Sequence, residues 1–190
     1  MGFRLVLLRH AEPRVAAGVC YGQLDVPLSS SGLTTARQHS GLLPPPRRLF
    51  CSDLERAKES AKLLFPSTKP LIDPRLREVS MGQWEGRRWD EIHSTDEQRM
   101  ASWGQNWVAV APPDGESAQQ LFERTEEFLS ECILTDDETE ERGAEGDTVL
   151  VAHQGSLRAI SCLLAGLSVD HFFSLSFSYL AAFTAFDLRR

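Results

Sequence analysis

The sequence predicts an α/β fold in three layers, a mostly parallel central sheet with helices on both sides. Two apolar runs, Leu5-Val6-Leu7-Leu8 and Val149-Leu150-Val151-Ala152, lack polar alternation, the pattern of strands buried on both faces. Each run leads to a histidine, His10 after Arg9 in the first case and His153 in the second. Between and after the runs lie amphipathic stretches of helical length, so strands and helices alternate along the chain.

The first strand is read as residues 4–9. Residues 11–30 are rich in Gly, Pro and small side chains with neither period, which predicts a long loop leaving the strand end. Ser30 or Ser31 then caps a helix to about residue 43, stopped by Pro44-Pro45-Pro46. Residues 48–51 read as a second strand, and Ser52 or Asp53 caps a helix over about 54–65 that ends before Pro66. Leu71-Ile72 is a brief third strand, residues 75–89 with Gly82 and Gly86 are irregular, and residues 90–110 hold short helices. Pro112-Pro113-Asp114-Gly115 is a turn. Ser117 caps a helix whose apolar positions Leu121, Phe128, Leu129 and Ile133 recur at helical spacing. Residues 136–147, almost wholly acidic or small, are expected to be a solvated loop without function. A strand over 148–152, a helix over 156–165 and a last strand over about 179–186 complete the chain. At 190 residues with no repeat or linker, it is expected to form one domain over 1–190.

Composition narrows the function. Lys and Arg number 20 against 27 Asp and Glu, and the net charge of -7 argues against a surface built to coat nucleic acid or anionic lipid. An anionic ligand must then be met by a local basic pocket. The apolar run near the start is cut by Arg9 and His10, too short for a signal-peptide core or a membrane span, so a cytoplasmic location is expected. Cys20, Cys51, Cys132 and Cys162 show neither a C-x-x-C pair nor zinc spacing with His, which points to reduced thiols.

Ligands of open α/β sheets bind at the carboxyl ends of the strands. His10 and His153 both fall there, with Arg9, with Arg56 in the first turn of the second helix, and with Glu78 in the irregular segment. Arginine forks match phosphate oxygens, a neutral imidazole can attack phosphorus, and a carboxylic acid can protonate a leaving oxygen. These residue types together point to phosphoryl chemistry. Glu12, Glu85 and Glu116 are alternative carboxylates, and Arg14 could reach the far end of a substrate. His39, His93 and His171 are expected to be structural or exposed. The four tryptophans are read as core, with an aromatic specificity pocket as the alternative.

Leu8-Arg9-His10-Ala11-Glu12 resembles the R-H-G signature of the histidine phosphatase superfamily, which includes the cofactor-dependent phosphoglycerate mutases. Tyr21-Gly22-Gln23-Leu24-Asp25-Val26-Pro27-Leu28 with Ser31-Gly32 is similar to its G-x-x-D-x-P-L-x-x-x-G stretch, and Ser52-Asp53-Leu54-Glu55-Arg56-Ala57 to its S-x-L-x-R-A segment. Arg77-Glu78-Val79-Ser80-Met81-Gly82-Gln83-Trp84-Glu85-Gly86 resembles R-E-x-x-F-G-x-W-E-G, Asp114-Gly115-Glu116-Ser117 the G-G-E-S turn, and Val151-Ala152-His153-Gln154-Gly155 the V-x-H-G-G element. Six segments in family order span most of the chain.

The resemblance implies a phosphoglycerate mutase-like fold and a phosphomonoesterase. In it His10 becomes phosphohistidine, Arg9, Arg56 and His153 surround the transferred phosphoryl group, and Glu78 is the general acid; Gln23 and Gln154 are further phosphate-binding candidates. Adjacent arginines are expected to hold the His10 pKa below about 6.5, keeping the ring neutral for attack. A positioned acid contributes roughly 10²–10⁴ in rate, so the electrostatic cage is expected to contribute more than Glu78 does. No metal and no cofactor is required. Ala11 and Gln154 replace the usual glycines; the first is expected to be tolerated, the second to narrow the pocket or add a donor.

The Val19-Cys20-Tyr21-Gly22 context is most similar to the alpha-ribazole phosphatases of cobalamin nucleotide-loop assembly, which implies alpha-ribazole 5'-phosphate as substrate. Phosphoglycerate mutases are usually longer and have an asparagine shortly after R-H-G that has no counterpart here; a broad sugar-phosphate phosphatase and a non-catalytic phosphate-binding module are the other readings. The expected partner is a small phosphorylated substrate, with neither nucleic acid nor membrane. Oligomeric state, monomer or homodimer, is left open.

Overall fold

A computed structural model describes residues 3–134 and 146–188. Five strands, β1 (Phe3–Arg9), β2 (Arg48–Cys51), β3 (Leu71–Ile72), β4 (Thr148–Ala152) and β5 (Ala182–Leu188), form one sheet in the order β3-β2-β4-β1-β5. β3, β2, β4 and β1 pair in parallel, and β5 joins the β1 edge antiparallel.

The continuous apolar runs are explained by two-sided burial. Val6, Leu8, Leu49, Cys51, Val149 and Val151 face one layer, where they meet Ala36 of helix α1 (Ser30–Gln38) and Ala57, Ala61 and Leu64 of helix α2 (Glu55–Leu64). The alternate residues Leu5, Leu7, Phe50, Leu150 and Ala152 face the other. There they meet Phe128 of helix α5 (Ala118–Phe128) and Leu157 and Ile160 of helix α6 (Gln154–Ala165). Burying one such aliphatic side chain stabilises by about 1.5–3 kcal/mol, so a polar residue in either strand would be strongly destabilising. Helices α3 (Trp89–Thr95) and α4 (Glu97–Gln105) form a satellite with Trp84, Trp89 and Trp103, whose rings pack together beside buried Ile92. Among the described residues no helix is long and apolar enough to cross a membrane.

Element boundaries depart from expectation where distant partners intervene. α1 is capped by Ser29, whose hydroxyl accepts from Gly32 N at 2.9 Å, and it ends at Gln38, well before the prolines. A Cβ on Gly32 would collide with the Glu12 carbonyl, so this close approach of helix to loop requires glycine. Neither Ser52 nor Asp53 caps α2; Asp25 does, accepting from Glu55 N at 2.7 Å across thirty positions of sequence. Ser117 caps α5 in a capping box with Gln120, as the spacing predicts, and a π-helical turn at Leu129–Ile133 continues it. α6 begins at Gln154 rather than 156, with His153 as its N-cap residue. β5 begins at Ala182, because the residues before it run across the end of β1. Of the acidic stretch, only Gly146 and Asp147 fall within the described residues; Asp147 pairs with Arg4 at 2.8 Å.

Candidate active site

Adjacent strands β2, β4 and β1 end together, and each hands on one polar residue. Sheet pairing extends past the strand ends, with His10 N donating to Ala152 O at 3.0 Å and Ser52 N to Val151 O at 3.1 Å. His10, His153 and Ser52 are thereby fixed side by side. Arg56 follows from the first turn of α2, fully buried.

Hydrogen-bond partners define both tautomers. His10 Nδ1 lies 2.6 Å from the Ala11 carbonyl, which can only accept, so Nδ1 carries the proton and Nε2 keeps its lone pair. Arg56 Nε donates to His153 Nδ1 at 3.2 Å, so His153 holds its proton on Nε2, 2.9 Å from Ser52 Oγ. The two imidazole centroids are 4.9 Å apart. Burial pushes the His10 pKa well below its usual value, with Arg56 and then Arg9 adding to the effect against the opposing Ala11 hydrogen bond. Burial thus outweighs the arginines, from which alone the sequence leads one to expect the shift. His153 is lowered in the same direction by burial first, then by His10, Arg56, Arg124 and Arg9. Both rings are neutral near pH 7. Ala11 is fully buried in the core without positive φ, and its N donates to Ser60 Oγ at 2.9 Å, so the residue accommodates its methyl group without backbone strain.

Arg56 also donates to Leu24 O at 2.8 Å and Gly22 O at 2.6 Å, which ties the long loop to the strand ends. Arg9 donates from Nη1 to Gln154 Oε1 at 3.1 Å and to Phe177 O at 2.9 Å, while its Nε is buried without a partner among the described residues. A buried guanidinium donor left unpaired is unfavourable unless a ligand oxygen meets it. Tyr179 covers the other side, 4.0 Å from ring centroid to Arg9 Cζ and 5.6 Å from the His10 centroid. Tyr21 lies 5.1 Å from Arg56 Cζ. Neither tyrosine stands out in the sequence as part of this site; Tyr179 sits in an apolar run that reads as strand.

Glu78 stands at the N-terminus of α6, where its Oε1 accepts from Gly155 N at 2.8 Å and Val79 N at 2.9 Å. A Cβ on Gly155 would occupy the place of that oxygen. The other candidate carboxylates bind elsewhere, none of them to the N-terminus of α6. Glu85 Oε1 accepts from Gln23 N and Met81 N, Glu116 is paired with Arg124 at 2.6 Å, and Glu12 is bound to Ser29 and Ser31. Gln23 turns its amide to the Glu78 carbonyl at 2.9 Å, and Gln154 turns its oxygen to Arg9 and to Phe177 N at 3.2 Å. Gln23 is thereby tied to Glu78 and Gln154 to Arg9. Arg124, which no local signal in the sequence marks, donates to Glu78 O at 3.0 Å. Arg14, His93 and His171 are exposed, and His39 Nδ1 meets Thr35 O within α1's last turn.

Two imidazoles, two guanidiniums and a carboxylate at the carboxyl edge of a parallel sheet define an enzyme of phosphoryl transfer. Residues 5–190 match the family model of the histidine phosphatase superfamily, branch 1, and the chain belongs to that family. It is 34% identical over 173 residues to a glucosyl-3-phosphoglycerate phosphatase of Mycolicibacterium vanbaalenii, covering 88% of this chain and 76% of the relative. It is 32% identical over 169 residues to an adenosylcobalamin/alpha-ribazole phosphatase of Salmonella typhimurium, covering 86% and 79%. The solved structure of a mycobacterial glucosyl-3-phosphoglycerate phosphatase superposes with a TM-score of 0.81 at 29% identity, covering 96% of this chain and 89% of that one. The protein is accordingly a phosphoric monoester hydrolase.

Proposed function

We propose that the enzyme hydrolyses a small phosphate monoester through a phosphohistidine on His10. The observation that carries this is the tautomer of His10. A neutral ring, proton held on Nδ1 by a backbone carbonyl, keeps the Nε2 lone pair free, with the His153 ring 4.9 Å away between centroids and the charges of Arg56 and Arg9 near enough to act on it. Nε2 attacks phosphorus as the P–O bond breaks, and Glu78 gives its proton to the departing oxygen. Arg9, Arg56 and His153 offset charge on the equatorial oxygens in flight. Water then attacks the phosphohistidine, Glu78 takes the water proton, and the N–P bond breaks to free the ring. Gln23 and Gln154, expected from sequence as phosphate ligands, act by positioning Glu78 and Arg9.

For the leaving group we propose alpha-ribazole, on the strength of the residues around Tyr21 and the Salmonella relative. A phosphorylated glucosylglycerate is the second reading, favoured by the mycobacterial relatives. Turnover of para-nitrophenyl phosphate, lost in His10→Ala together with an acid-labile phosphoryl adduct, tests the chemistry. Equal turnover by the variant overturns it. A panel of alpha-ribazole 5'-phosphate, glucosyl-3-phosphoglycerate, 3-phosphoglycerate and sugar phosphates ranks the substrates by kcat/KM.

A further inference from the structure

A single stretch of chain, residues 169–181, forms one rim of the site, and three side chains fasten it. Arg158 Nε donates to Leu175 O at 2.7 Å, Arg9 and Gln154 grip the backbone of Phe177, and Leu180 N donates to Arg9 O at 3.1 Å. Arg158 is half-buried on α6, one turn beyond Gln154, and interacts electrostatically with both Glu78 and Arg9. Its terminal amines have no hydrogen-bond partner among the described residues. The guanidinium carbon lies 5.5 Å from the ring centroids of both Phe172 and Phe173.

Those rings belong to an aromatic wall. Trp107 meets Phe173 at 4.7 Å and Phe172 at 5.5 Å between centroids, and the cluster packs against Val79, the residue after Glu78. The wall therefore begins one residue along the chain from Glu78. Phe173 remains 58% exposed despite its three neighbours, and Tyr179, at the other end of the rim, is 39% exposed. The other three tryptophans pack in the satellite core, so Trp107 alone joins this wall.

We propose that Arg158, Trp107 and Phe173 form a leaving-group subsite selecting phosphate esters of alcohols that bear an aromatic ring. Such a ring would stack on the open face of Phe173 and present its π-face to the Arg158 amines, contacts favourable for both partners. An aliphatic alcohol gains neither contact. The subsite rests on the phosphohistidine reading, since it places the leaving group by way of Glu78.

The test compares 2-phenylethyl phosphate with n-butyl phosphate, whose alcohols are similar leaving groups, with 3-phosphoglycerate as a third arm. The expected result is kcat/KM at least about tenfold higher for the phenylethyl ester, in the range a hydrophobic pocket can discriminate. Phe173→Ala and, separately, Arg158→Gln should bring that ratio toward unity, with thermal midpoints recorded to confirm folding. A wild-type ratio near one overturns the subsite, as does a ratio unmoved in both folded variants. Preference for 3-phosphoglycerate, lost in Arg158→Gln, would mean that Arg158 reads a carboxylate and also overturns it. If His10→Ala matches the wild type on every ester, the phosphohistidine reading itself has failed, a result distinct from equal but His10-dependent turnover.

Discussion

Lowering the pH from about 7.5 to about 5.5 is expected to destabilise the folded protein through its two buried histidines. In the unfolded chain each titrates near 6.5, whereas in the fold both are held neutral to well below that value, chiefly by burial. Below 6.5 the unfolded state takes up protons that the folded state refuses, so stability is full above the unfolded pKa and falls as pH drops beneath it. One unit below that pKa, each ring removes about 1.4 kcal/mol, against less than about 0.1 kcal/mol at pH 7.5. Together they remove roughly 2.7 kcal/mol, a large part of a typical stability of about 5–15 kcal/mol. Carboxylates held low by partners, such as Asp53 beside Arg77, contribute stability that is lost only on falling below about pH 4, outside this window. Urea denaturation across the pH range measures the loss, and His10→Asn should roughly halve it. A wild-type stability that is flat or rises towards pH 5.5, or a variant curve parallel to the wild type, would refute the reasoning.

Three further outcomes are expected. Arg56→Ala leaves His153 Nδ1 and the carbonyls of Gly22 and Leu24 without their buried donor, and should lower the stability measured by urea denaturation by roughly 3–5 kcal/mol. Gly155→Ala forces the Glu78 carboxylate from its seat, so kcat on an alkyl phosphate should fall by up to about 10²–10⁴ while the far-ultraviolet circular dichroism is unchanged. Trp84→Phe removes the indole donor to Asp96 Oδ2, 2.8 Å away, and should cost about 1–3 kcal/mol in thermal or urea unfolding, with the site chemistry retained.

Much of the site is legible in the sequence because burial and chemistry coincide in it. The runs before His10 and His153 are apolar throughout since both faces of β1 and β4 are covered, and this alone places the histidines at strand ends. What sequence does not reveal depends on contacts between distant segments. Asp25 caps a helix far along the chain, a role invisible to local spacing, and Ser52 has the local context of a helix cap while its hydroxyl meets His153 instead. The sequence marks Gln23 and Gln154 as candidates, but not that the Gln23 amide donates to the Glu78 carbonyl or that the Gln154 oxygen accepts from Arg9 and from Phe177 N. Tyr179 reads as strand because its run is apolar; the backbone there bends, with Leu180 at a positive φ of 57°, to lay the ring over Arg9.

The position of β4 has a consequence for biosynthesis. β1 and β2 never touch; each waits for β4, made about a hundred residues after β2, to slot between them, with Leu5 aligned to Thr148 on one side and Arg48 to the same Thr148 on the other. A ribosome-bound chain shorter than this has two orphan apolar ribbons and no central scaffold to join them, a hazard for premature association. Catalytic competence should accordingly appear late in synthesis, once β4 and the rim at residues 169–181 that follows it are both in place.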